Sequence, residues 1–135
     1  MAAVTPIINS MGAATLKIGT NNFEASVSKA VLTPSVSVVK FKGINGATTR
    51  AATLPEWTLS LEYPQDFTTA LSLSNLLLTG TGTIVVADLY PILGGPGYRQ
   101  SILLTPGEIG GQVDNTATGS VTLEVIGQPV LITPV

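Results

Sequence analysis

The chain has 135 residues, enough for one domain, with six Lys+Arg against eight Asp+Glu and neither histidine nor cysteine. Lack of histidine removes the usual general base and commonest metal ligand, and lack of cysteine removes disulfides, thiolate nucleophiles and Cys-held zinc. A net charge of −2 lacks the basic footprint of a nucleic-acid reader, and only 10% of residues are charged where about 25% is ordinary.

In chain order, residues 1–11 are apolar and Pro-punctuated, and read as an N-terminal arm that docks on something. Phe23, Ala25, Val27 and Val31 alternate with polar residues as a half-buried strand does, with Lys29 the polar exception on that face. After Thr33-Pro34, residues 36–41 read as its partner strand. Residues 42–55 form a long loop of small residues with a turn signal at Asn45-Gly46. Lys40, Lys42 and Arg50 around it are the only local basic group, read as a solvated hairpin tip or as a contact with a neighbour's carboxylate. Trp57, Leu59, Leu61 and Tyr63 share one face of the clearest strand, with Trp57 as its core anchor.

Asp66 is a good N-cap, so a helix is expected over 66–80. Phe67, Ala70, Leu71, Leu77 and Leu78 form its stripe, and Gly80 stops it. The stripe is wider than one flat contact needs, so Asp66, Phe67, Leu71, Leu77 and Leu78 are its candidate contacts, some with a neighbour. Residues 83–90 are nearly all apolar and read as a strand buried on both faces. Strands follow at 98–105 and 116–125, separated by the glycine-rich turns 94–97 and 106–111. Residues 128–135 read as a C-terminal arm. With 18 Thr and 10 Ser, the strands gain β preference while keeping an outer face wet. The fold expected is a single all-β-dominated domain, a β-sandwich or barrel with one α-helix.

Chemistry-bearing motifs are weak. No glycine cluster continues into Lys-Ser/Thr or sits as G-x-G-x-x-G between a strand and a helix. Glu56 and Glu62 share a strand face about 20 Å apart, too far for a glycosidase pair at about 5–9.5 Å. Serine has no histidine for triad chemistry. A non-enzyme without cofactor or metal is expected. The longest aliphatic runs, Leu76-Leu77-Leu78 and Ile84-Val85-Val86-Ala87, are far below the ~18 residues of a membrane span, and the first cation is Lys17. The expectation is a soluble chain, made inside a cell, whose charge-poor surface is covered by copies or partners.

From Trp57-Thr58-Leu59 through Gln65-Asp66, Leu73-Ser74-Asn75-Leu76, Pro106-Gly107-Glu108-Ile109-Gly110-Gly111 and the Thr/Ser-alternating stretch 117–125, the sequence resembles the major tail (tail tube) proteins of long, non-contractile-tailed phages. The match runs through residues 55–130, with Trp57, Gln65, Asp66, Pro106, Gly107, Ile109, Gly110 and Gly111 as its motif residues. The resemblance implies subunits closing into rings, commonly hexameric, with a continuous inner β-barrel. It implies rings stacked into a hollow tube that passes DNA during ejection. Lys42, Asn45, Gly46, Arg50 and Pro55 would belong to an inter-ring loop. Glu24, Glu62, Asp88 and Glu124 are candidate lumen carboxylates, since a conduit should not hold phosphate. Implied partners are copies of the chain and tail-tip, tape-measure and tail terminator proteins, with DNA only transient and no membrane. The implied location is a virion tail assembled in the host cytoplasm. A β-sandwich binding or decoration module on a virion or cell surface, and the tube protein of a bacterial injection system, are the alternatives.

Overall fold

A computed structural model describes residues 3–7, 14–23, 27–92, 94–114 and 116–133. Among these residues nine strands and one helix follow in the order β1 (Thr15–Ile18), β2 (Asn21–Asn22), β3 (Lys29–Ser35), β4 (Val38–Lys42), β5 (Thr48–Ala52), β6 (Glu56–Pro64), α1 (Leu73–Thr79), β7 (Ile84–Tyr90), β8 (Gly97–Leu103) and β9 (Thr118–Ile132). Seven strands make one antiparallel sheet in the order β2-β1-β7-β8-β9-β6-β3, while β4 and β5 pair with each other in a separate two-stranded sheet. The expected β-dominated fold with one helix is what the chain adopts.

Period-two alternation decides which face is buried. On β6, Leu59, Leu61 and Tyr63 point inward; on β9, Val121, Leu123 and Val125 meet them in register, Leu59 opposite Leu123 and Leu61 opposite Val121. Ala87 and Leu89 of β7, Ile102 of β8, and Leu16 and Ile18 of β1 continue the same core. The sheet bends over this core, because Leu32 of β3 and Leu89 of β7 line one cavity although three strands separate them. Its edges are β2 and β3, and Pro34 sits where proline belongs, on an edge strand.

Several expected boundaries move. Of the strand expected over 23–31, residues 24–26 lie outside the described residues; β3 runs from Lys29 to Ser35 and pairs with β6 rather than with 36–41. Residues 38–42 instead turn straight back onto 48–52 through the Asn45-Gly46 turn, so the expected loop 42–55 is largely a β-hairpin. Gly46 has φ 87°, the left-handed conformation that this turn requires. Strand β7 is buried on one face only: Ile84 and Val86 are exposed, and Asp88 is covered by an ion pair instead of by a second layer. The C-terminal arm expected from residue 128 is a strand as far as Ile132, pairing Ile132 with Gly97. Gly127 takes φ 84° beside the irregularity between Arg99 and Ser101, which lets β9 kink and continue.

The helix is half the expected length. Asp66 does not cap it; its carboxylate closes a separate turn by accepting the backbone N–H groups of Thr68 and Thr69 and the Thr68 hydroxyl. The Asn75 amide then donates to the Thr69 carbonyl, which would otherwise serve a continuing helix. Ser72 is the N-cap, accepting from the Asn75 N–H, and α1 buries Leu73, Ser74 and Leu77.

Candidate assembly surfaces

Strand β6 connects two unlike ends of the domain. Eight steps of about 3.3 Å separate Glu56, where the β4–β5 hairpin returns, from Pro64, where the chain enters the Gln65–Leu71 turn, roughly 26 Å in all.

At the first end the hairpin projects with every strand residue exposed. Its base is closed by the Thr53 N–H on the Ser37 carbonyl and the Ser37 N–H on the Thr53 hydroxyl. Register sorts its two faces. Val38–Ala52, Lys40–Arg50 and Lys42–Thr48 share one face, which therefore carries all three cations; Val39–Ala51 and Phe41–Thr49 share the other. Phe41 is 70% exposed and Ile44 at the tip is fully so. Among the expected loop residues, Lys42 ends β4, Asn45 holds the turn by accepting the Ala47 N–H, Gly46 completes it, Arg50 lies on β5 and Pro55 follows the hairpin.

At the second end the motif residues other than Trp57 come together. The Gln65 side chain donates to the carbonyls of Gly110 and Thr118 and accepts the Gly110 N–H, clasping the 104–117 loop to the sheet. Gly107 lies so close to the Tyr63 hydroxyl that a side chain there would fall on it. Phe67, Leu78, Pro106, Glu108 and Ile109 then line a shallow groove over Tyr63 and Ser74. Burial first, and the charge of Glu108 second, push the Tyr63 hydroxyl above its ordinary range. Of the expected helix contacts, Leu77 is in the core, whereas Phe67, Leu71 and Leu78 are exposed at this end. Gly111 packs against Ala117 in the same loop.

Hydrogen bonds from Thr69, and then from Thr68, lower the Asp66 carboxyl to about 2. A lowered pKa means that the turn stabilises the fold while Asp66 is ionised. The wild type should therefore exceed Asp66→Ala in melting temperature by a constant margin above pH ~4, a margin that shrinks as pH falls through about 2. Thermal melts from pH 6 to 2 check this.

The sheet's outer face carries the remaining expected residues. Glu62 is exposed opposite Lys29, and Glu124 opposite Thr58. Asp88 is 7% exposed and held by Arg99, Nε to Oδ1 at 2.9 Å and Nη2 to Oδ2 at 3.1 Å, so its charge is spent within the domain. Glu24 lies outside the described residues.

Two polar side chains escaped the sequence reading. Gln128 accepts the Trp57 indole N–H at 2.9 Å and donates to the Pro55 carbonyl, which fixes the hairpin's return. Trp57 is thus a wall of the core that also lines a cavity of about 380 Å³ with Leu32, Leu89 and Tyr98. Gln100, 2% exposed on the inner face opposite Ala87, has no partner among the described residues for either end of its amide. An unpaired buried amide costs about 1–3 kcal/mol. Gln100→Met should raise the unfolding free energy of the protein by about that amount. Urea denaturation reads it, and a lowered midpoint contradicts it.

No family model matches the chain, and no curated protein does. Among solved structures it is similar to the PVC sheath/tube terminator of an extracellular contractile injection system in its extended state. The TM-score is 0.65 at 10% identity, over 96% of this chain and 99% of that one. At that identity the likeness establishes a shared fold over nearly the whole of both chains.

Proposed function

We propose that the chain is a structural subunit of a tail-like tube, polymerising as stacked rings. The observation that carries this reading is the pairing of a terminator-like fold with exposed apolar surface at both ends of one subunit. The shortage of charge supports it, because a surface covered laterally and axially by copies needs few ions. Edge strands β2 and β3, a liability in a lone subunit, are the means of lateral joining. Rotation closes the ring and heterologous stacking leaves the filament open.

In the finer form of the proposal, the tube is that of a long-tailed phage and DNA passes through it. The Thr/Ser-rich outer face of the sheet, with Glu62 and Glu124, would then line the bore and give phosphate nothing to grip. A second reading, a terminator that caps a tube as in the similar structure, rests on the fold likeness itself. A cap needs one adhesive end and a tube subunit needs two. The hairpin at one end and the groove at the other favour the tube.

Negative-stain microscopy of the concentrated protein separates these. Tubes of constant bore support the tube reading, single rings that add only to preformed tube ends support the cap, and small separate particles overturn both.

A further inference from the structure

Charge is divided within this chain in a way that folding of the subunit does not use. Residues 36–55 hold three cations and no carboxylate, while the rest of the chain holds three cations and all eight carboxylates. The hairpin is therefore +3 and the body −5, which together give the net −2. Within the hairpin, Lys40 stands directly opposite Arg50 with Lys42 on the same face. Like charges so placed are destabilising, and a two-stranded ribbon alone is marginal at best. Among the described residues the ion pair present is Arg99–Asp88, and these three cations have no carboxylate partner there.

The other end of β6 has the opposite character. Its loops carry Asp66, Glu108 and Asp114 and no Lys or Arg between residues 64 and 98 or between 100 and 118. Phe67, Leu78 and Ile109 leave apolar surface beside Glu108, Ile109 is 66% exposed, and Asp114 follows in the same loop. The Gln65 clasp and the Asp66 turn hold this surface in one shape, so it is preorganised for a contact.

We infer that the β4–β5 hairpin docks on the Phe67–Leu78–Ile109 groove of a second copy of this chain. Val38, on the cationic face, and Ile44 at the tip cover the apolar surface, and Lys40, Lys42 and Arg50 of that same face meet Glu108 and Asp114. The inference rests on the tube reading and deepens it by naming both halves of the axial contact. Hairpin and groove lie at opposite ends of a strand roughly 26 Å long, so a copy that uses its hairpin still offers its groove. Such a contact propagates without closing. Charge complementarity sets its direction, since hairpin against hairpin or groove against groove places like charges together.

The test uses two full-length variants, K40E/K42E/R50E and E108K/D114K; Asp66 is left alone because its carboxylate builds the turn. All five positions are exposed, so both variants should melt as the wild type does. Each alone should fail to stack, and a one-to-one mixture should stack, because each hairpin then faces a groove of opposite charge. Sedimentation velocity should show association at least about tenfold stronger in the mixture than in either variant, weakening with added salt. Stacking by either variant alone, or equal association in all three samples, overturns the inference. The hairpin–groove contact is pairwise, so sedimentation reads it whether or not tubes form. Wild-type protein without tubes sinks the tube reading, and a mixture no stronger than its components sinks the docking.

Discussion

Replacing residues 38–52 by an Asn-Gly turn between Ser37 and Thr53 is expected to abolish polymerisation and leave the subunit folded. The ten strand residues removed are all exposed, so the core of Leu59, Leu61, Leu123 and Ile102 loses nothing. Shortening the connection from 15 residues to two lowers the loop-closure cost by about 1–2 kcal/mol, and removing the Lys40–Arg50 opposition adds a few tenths. The melting temperature should therefore hold or rise slightly while polymer disappears from the electron micrograph. A loss of both fold and assembly would mean that the hairpin is part of the core. Polymers of undiminished length would remove it from the axial contact altogether.

The second large effect is expected at Gly107. Its backbone passes so close to the Tyr63 hydroxyl that any side chain collides, and Tyr63, 1% exposed beneath the loop, has no space to retreat. Gly107→Ala should destabilise the subunit by about 1–3 kcal/mol, the usual cost of overpacking. It should also weaken assembly, because the same displacement lifts Glu108 and Ile109 out of the groove. Tyr63→Phe removes the atom that is struck, so the double variant should recover much of the lost stability. Denaturant midpoints of the four proteins give the coupling. Additive losses would show that the loop, rather than the hydroxyl, sets the constraint.

Much of this architecture was legible because its signals are local. Alternation on 57–63 and 121–125 identified the strands and their buried faces, and the paired registers follow from those faces. The motif at Gln65 and 106–111 was visible as a string of residues, but its meaning was not. Only the fold brings an amide at position 65 to the backbone of 110 and 118. The hairpin misled for a physical reason. Residues 36–41 alternate as any strand does, and nothing in them says whether the partner is the preceding strand or the following one. The Asn45-Gly46 turn chose the local partner, while Ala30 and Leu32 found β6. Asp66 misled in the same way, since a capping carboxylate serves a lone turn as well as a helix. Gln100 and Gln128 carried no sequence signal, because an amide's importance lies in whether its partners are present.

Head-to-tail docking is tested most directly by a crosslink, and the natural absence of cysteine makes the experiment clean. Cysteine is placed at Ile44 on the hairpin tip and at Ile109 in the groove, singly and together, and polymerised protein is treated with a short bismaleimide. End-to-end docking predicts a ladder of covalent multimers from the double variant and essentially monomer from each single one. Polymers of the double variant that yield only monomer, or Ile44→Cys alone yielding dimers as efficiently, would contradict it.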